Sequence, residues 1–380
     1  MDSREDKPFQ DLPASLVNEL LASSTQAGKQ ILRGLEELKG RREKLRREIL
    51  ARGLLKKRAD LPEVPQPTVA ATDGSYVVER LLGLDFLTAA AVAVEGLTPP
   101  SELRFWPEPR HRTYVEVAVH HEASSNLLRA YMLGLELELA FEAPHHVVFL
   151  DGSITLPLIY WNQALQKLSA TGLLLEQKLI ESIELFLHIY RLVLRPNRSD
   201  RQLVALPKYS TRREFASMLG VNGDDRALLS RVLEAEEYTE PLPFEKASSP
   251  WHLGLDRLPK ELKSRLETVV KDITLAMNEA HVVYYRPRSW LPALRVELPA
   301  AVAQNPQRLA TVLSALSTQS IVPAMLEPYP LYLADRMVKA LPHTIPAFRQ
   351  VATQFVAEHY SGDLGEVYFT LHGYRSEGGA

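Results

Sequence analysis

The chain has 380 residues, 46% hydrophobic and 24% charged, with a formal net charge of −3 and no cysteine. That balance excludes a disordered or collagen-like chain and leaves room for two or three domains, or for one sheet with helical insertions. The missing cysteines exclude disulfides, thiolate zinc sites and Cys nucleophiles, so any metal must be held by carboxylate, histidine or backbone oxygen, donors suited to magnesium or manganese.

The start, Met1-Asp-Ser-Arg-Glu-Asp-Lys7, has none of the apolar run of a signal peptide. The most apolar region, Leu81 to Val94, is interrupted by Asp85 and falls short of the roughly 20 apolar residues of a spanning helix. A soluble, cytoplasmic protein without a membrane span is therefore expected. Leu12 to Leu55 reads as helix, with Leu32, Leu35 and Leu38 at helical spacing ahead of the basic run Lys39-Gly-Arg-Arg-Glu-Lys-Leu-Arg-Arg-Glu48. This arm, residues 1–61, is either a solvated or dimer-forming helical face or a direct contact to DNA. Pro62-Glu-Val-Pro-Gln-Pro67 stops it, because proline lacks the amide and restrains its predecessor.

A second domain, residues 62–380, is expected to start there. Thr68 to Asp73 reads as a short buried strand that Gly74-Ser75 breaks at its end. Leu84 to Val94 and Thr113 to His120 read as two more strands, separated by a proline-rich excursion at Pro99 to Pro109. Asn126 to Ala143 has helical character, and Val147-Val-Phe-Leu150 is the next strand, ending in Asp151-Gly152-Ser153. Leu173 to Leu194 looks helical, and Leu203 to Leu206 is a fifth short strand leading to Lys208. From Arg213 the chain turns polar and helix-rich, with a Pro/Ser-rich break at Glu240 to Pro250, and reads as an insertion or lid over about 213–290. Leu294 to Leu298 is the last expected strand, before helices at Pro306 to Ser317, Tyr332 to Ala340 and Ile345 to His359.

One Asp-Gly-Ser is the ordinary language of turns, but two at successive strand ends say more. If the strands run parallel, Asp73 and Asp151 converge at one sheet edge, and carboxylates brought together without basic partners invite a hard cation. The intervening helix offers Glu136 or Glu138 as a third carboxylate. Glu136 lies seven residues after Arg129, about two turns on, and is the preferred candidate; Glu138 points to a different face.

Acid on the first strand, acid on the first helix and acid on the fourth strand is the carboxylate order of the ribonuclease-H-like fold, and the details resemble the NurA nuclease family. The matching segments are Ala71-Thr-Asp-Gly-Ser75, Phe149-Leu-Asp-Gly-Ser153, Leu206-Pro-Lys-Tyr-Ser210, Leu294-Arg-Val-Glu-Leu-Pro299 and Pro328-Tyr-Pro-Leu-Tyr-Leu-Ala-Asp335, in family order from the linker almost to the C-terminus. The expected fold is thus α/β, a ribonuclease-H-like mixed sheet flanked by helices, with N-terminal helices and a helical insertion. The resemblance implies a manganese- or magnesium-dependent nuclease acting on DNA, a 5′–3′ exonuclease and single-strand endonuclease. It also implies a homodimer working with a hexameric HerA-type ATPase in DNA end processing and repair.

Asp73, Glu136 and Asp151 would be the metal ligands and Lys208 a further catalytic group, either neutralising the phosphate in the transition state or serving only as a strand-end charge. Arg198, Arg201, Arg212 and Arg213 flank the strand before Lys208 and form a candidate phosphate-contacting patch. Tyr329 of the last motif joins them as a DNA-contacting candidate. The family's last motif usually reads Tyr-Pro-Tyr-Pro-Leu followed by Ala-His, whereas this chain has Glu327 for the first tyrosine and Asp335 for the histidine. Carboxylate suits hard cations, so Asp335 is taken as a metal ligand of altered preference. Two rivals are a catalytically silent adaptor of a DNA-translocating ATPase, against which the retained Asp73 and Asp151 speak, and a metal-free glycosidase using paired carboxylates.

Overall fold

The computed structural model describes residues 12–99, 101, 103–168, 172–210, 212–245 and 250–379. The polar start at Met1 to Lys7, two residues of the proline-rich excursion (100 and 102) and residues 246–249 of the Pro/Ser-rich break lie outside the described residues. The chain divides into two compact units, Met1–Gly53 and Leu54–Ala380. The first holds one continuous helix, α1 (Ala14–Ala51), about 57 Å long at 1.5 Å per residue. It continues through Gly28, Gly34 and Gly40, and Leu16, Leu20, Leu32 and Leu35 along it are exposed.

The second unit runs in the order β1 (Leu55–Lys57), β2 (Val69–Arg80), β3 (Leu84–Glu95), β4 (Arg110–Val119), α2 (Ser124–Glu142) and β5 (Val147–Asp151). It continues with α3 (Leu156–Leu165), α4 (Leu174–Leu194), β6 (Gln202–Leu206), α5 (Glu214–Met218), α6 (Asp225–Val232), β7 (Glu237–Thr239) and β8 (Leu242–Pro243). After these come α7 (Lys260–Asn278), β9 (His281–Arg286), β10 (Leu294–Leu298), α8 (Ala300–Ala303), α9 (Pro306–Gln319), α10 (Tyr329–Lys339), α11 (Leu341–His359), α12 (Leu364–Thr370) and β11 (Arg375–Gly379).

All strands join one eleven-stranded sheet with the path β1-β7-β9-β10-β6-β5-β2-β3-β4, β11 pairing with β2 and β8 with β9. β2, β3 and β4 form an antiparallel meander, while β5 lies parallel to β2 and β6 parallel to β5. The stretch β4-β3-β2-β5-β6 is the ribonuclease-H-like order, within a mixed sheet flanked by helices as expected. Val69, Ala71, Val147, Phe149, Val204 and Leu206 bury one face of its centre against Leu309, Val312, Leu313 and Leu316 of α9 and Leu331 of α10. This apolar layer fixes register, because a slip of one residue would turn every one of these side chains to the other face.

Two local expectations change. Asp73 does not end its strand: β2 runs on to Arg80, pairing Gly74 with Ala91 and Ser75 with Ala90 of β3. The neighbouring meander supplies hydrogen bonds that outweigh the turn preference of Gly-Ser. The segment from Arg213 onward is also not helical throughout. Its β7 pairs with β1 and β9, and β9 pairs with β10, so it extends the sheet. Val282-Val-Tyr-Tyr285 in β9, fully buried, carries β-branched and aromatic residues that favour a strand.

Candidate metal centre

The site begins with the register of the two parallel strands. Thr72 of β2 pairs with Leu150 of β5, so the next residues, Asp73 and Asp151, stand side by side. Side chains alternate between sheet faces, and since Ala71 and Phe149 belong to the α9–α10 layer, Asp73 and Asp151 emerge on that face too. β5 stops at Asp151, but β2 continues, so the site sits where one strand ends beside another that does not.

The two Asp-Gly-Ser triplets do different work. Gly152 has φ +75°, the left-handed region that turns the chain out of β5 and that glycine adopts without strain. Gly74 stays extended, and a Cβ there would come within 2.1 Å of the Met132 sulfur. Its lack of a side chain leaves room for Met132 of α2, the helix whose Glu136 lines one cavity with Asp73.

From α10, Asp335 completes the group: one carboxylate oxygen from each of Asp73, Asp151 and Asp335 lies within 4.8 Å of the others. Lys208, two residues beyond β6, donates to Asp335 and lies 3.4 Å from Asp151 and 3.2 Å from Glu327. Lys339 holds the other oxygen of Asp335 at 2.8 Å. Glu136 is buried and shares with Asp73, Gly74, Asp151 and Gly152 the lining of a cavity of about 220 Å³. Glu138 is instead directed toward Arg112, 3.9 Å away.

Burial, reinforced by Asp151, pushes the Asp73 carboxyl up to about 8, against the pull of Lys208 and of the Gly74 amide that donates to it at 2.8 Å. Burial and the nearby charges of Asp73 and Asp151 hold Glu136 well above the usual carboxylate range. Burial opposes charge on Asp335, yet Lys208 and Lys339 keep it below its ordinary value. Burial likewise opposes charge on Lys208, and Asp151, Asp335 and Glu327 more than reverse that. Burial raises Glu327, with Lys208 working the other way.

Whether these residues fit a divalent ion can be tested on their spare valences. Among the described residues, Asp73 Oδ2 and Asp151 Oδ1 are buried without a hydrogen-bond partner, an arrangement that is costly unless something positive meets them. An all-oxygen donor set with two such atoms fits a hard cation. Asp335 lies in the same group, but both of its oxygens already meet lysines.

The basic candidates separate by strand polarity. Arg198 and Arg201 precede β6 and therefore lie at the end of that strand away from Lys208, roughly 17 Å off along a five-residue strand. Arg201 is buried, donates to the Ala140 carbonyl and stacks over Phe141. Arg198 is tied to Asp200 at 2.6 and 3.0 Å. The expected phosphate patch is thus corrected: these two arginines do not face the carboxylates. Arg212 and Arg213 follow β6 on the site's side, Arg213 exposed and donating to the Val221 carbonyl at 2.9 Å, and the half-buried Tyr329 opens α10.

Arg129, in the sequence only a marker of spacing for Glu136, is part of the site. Its guanidinium lies over the rings of Tyr76 and Tyr160, at 5.0 and 4.7 Å, and all three line the cavity with the carboxylates. The seven-residue spacing from Arg129 to Glu136 was the signal, since it places both on one side of a helix.

A family model described as the NurA domain matches residues 67–340. Among solved structures, the NurA nuclease from Sulfolobus solfataricus is similar over 92% of this chain and 99% of its own, at 14% identity and a TM-score of 0.59. A NurA structure with manganese is similar over 87% of this chain and 98% of its own, at 16% identity and a TM-score of 0.50. No curated protein matches by sequence.

Proposed function

The chain belongs to the NurA family, and from that premise we propose that it is a manganese-dependent nuclease that hydrolyses phosphodiester bonds in DNA. The observation that carries the proposal is the pair of buried, unpartnered oxygens on Asp73 and Asp151 beside Glu136. Magnesium serves the same donor set. A divalent cation bound there would polarise a phosphoryl oxygen and make water a nucleophile near neutral pH.

The rest is the work of the chain's own groups. Asp73, Asp151 and Glu136 would hold the cation, with Asp335 contributing from α10. Lys208, kept charged by its carboxylate neighbours, would meet charge building on the phosphate oxygens. Arg129, braced by two tyrosines, lines the same cavity and would offer positive charge to the DNA strand there, and Arg212, Arg213 and Tyr329 would contact the strand further out. In the family's manner we further propose 5′–3′ exonuclease and single-strand endonuclease activity, a homodimer, and work with a HerA-type ATPase in DNA end processing and repair. A cytoplasmic location suits that work, and among the described residues no helix is long and apolar enough to cross a membrane.

The adaptor reading draws on one observation, that Lys208 already brings a positive charge to Asp151, Glu327 and Asp335. End-labelled single- and double-stranded DNA, incubated with manganese, magnesium or chelator, separates the two. Cleavage that chelator abolishes and manganese restores is expected. Absence of cleavage with every metal would favour the adaptor.

A further inference from the structure

The segment Leu294-Arg-Val-Glu-Leu298 forms β10, yet none of its residues belongs to the carboxylate group. Leu294, Val296 and Leu298 face the apolar layer, so alternation sends Arg295 and Glu297 to the opposite face, where they are only 1% and 2% exposed. Glu297 Oε2 accepts from the Ser153 hydroxyl at 2.6 Å and from the Ile154 amide at 2.9 Å, and its Oε1 accepts from Arg295 Nε at 2.8 Å. Arg295 in turn donates to both oxygens of Glu214 at 3.1 Å and to the Tyr284 hydroxyl at 2.7 Å. Because the Ser153 proton goes to Glu297, the Thr155 hydroxyl must donate to Ser153 across their 2.9 Å contact, and the Tyr190 hydroxyl donates to the Ile154 carbonyl at 2.6 Å.

These bonds converge on the turn that leaves β5 directly after Asp151. Buried ion pairs are a poor source of stability, since well-packed apolar side chains do as well or better. What they provide is direction: Arg295 fixes Glu297, and Glu297 fixes the two residues after Gly152, the most pliable point of the turn. We propose that Glu297, oriented by Arg295 and Glu214, is a positioning residue that holds the Asp151 loop and thereby sets the affinity of the metal centre, an inference that rests on the metal-dependent reading above.

The test is manganese binding by titration calorimetry on the full chain, at a temperature well below each variant's thermal midpoint. Glu297→Ala is expected to weaken binding roughly 10- to 100-fold, the usual effect of losing a partner behind a ligand. Glu297→Gln, which keeps an acceptor for Ser153 and Ile154, should recover most of that loss. Ser153→Ala removes one of the two loop bonds without touching Arg295, should weaken binding several-fold, and decides the matter if Glu297→Ala does not fold. Unchanged manganese affinity in Ser153→Ala and in every Glu297 variant that folds, or in Ser153→Ala alone if none does, would overturn the proposal whatever the thermal midpoints. A wild-type chain that binds no manganese would instead overturn the metal-dependent reading and this inference with it.

Discussion

At the scale of single residues, the proposed chemistry rests on carboxylates that share one small volume. Asp73→Asn and Asp151→Asn preserve shape while removing the charge that would hold the cation, so each should lower cleavage at least about 100-fold, as expected when several kcal/mol of transition-state stabilisation are lost. Their circular dichroism should match wild type. Either variant cleaving near the wild-type rate would remove that residue from the site. The raised Asp73 also predicts a pH dependence. Its folded-state value of about 8 exceeds the ordinary 3.8, so its contribution to metal-free stability is full below about 4 and is lost as pH rises through about 8. Cation binding needs the charged form and expels the proton, so manganese affinity should climb from pH 6 to pH 8 and then level off. In chelator, Asp73→Asn should lose less thermal stability than wild type between those pH values; equal losses would contradict the assignment. Much of this chemistry was legible, because two acids, each followed by Gly-Ser on a short apolar strand, carry their own logic even though only Asp151 ends its strand. Arg201 was not, since a sequence does not tell a solvated arginine from one buried against Phe141.

Elements explain why identical triplets read alike and act differently. Asp151-Gly-Ser ends β5 through a left-handed glycine, as turn chemistry suggests, while Asp73-Gly-Ser lies inside β2 because the β3 meander pairs with it on both sides of the glycine. Single sequences reveal turn residues but not the neighbouring strand that overrides them. Substitutions should separate the roles. Gly152→Asn should be tolerated better than Gly152→Val, because asparagine enters the left-handed region and a β-branched residue does not. At Gly74 the conformation is permissive but space is not, so Gly74→Ala should cost about 1–3 kcal/mol of stability through overpacking against Met132. Denaturant midpoints check both; a neutral Gly74→Ala would show that the flexible Met132 side chain swings aside. The strand β9 is a short apolar run after a polar helix and does not declare its partners, whereas the strict apolar–polar alternation of Leu294-Arg-Val-Glu-Leu298 announces β10 with its end residues.

For the whole molecule, the parallel placement of β2, β5 and β6 makes one edge collect Asp73, Asp151 and Lys208 from distant parts of the sequence, and α10 adds Asp335. Order along the chain made this architecture readable, since three strands, a helix and a fourth strand admit few arrangements once the crossover is right-handed. The sheet extension by β7 and β9, and the return of the C-terminal β11 to pair with β2, depend on long-range pairing that no local pattern encodes. Light scattering should give twice the chain mass if the proposed homodimer forms, and a single-chain mass at micromolar concentration would count against it. If the oxygens of Asp73 and Asp151 face a hard cation, anomalous scattering from a crystal soaked in manganese will locate it. A peak is expected about 2.0–2.2 Å from Asp73 Oδ2 and Asp151 Oδ1; a well-soaked crystal with no peak there, or with manganese only at other residues, would contradict a metal centre at these carboxylates.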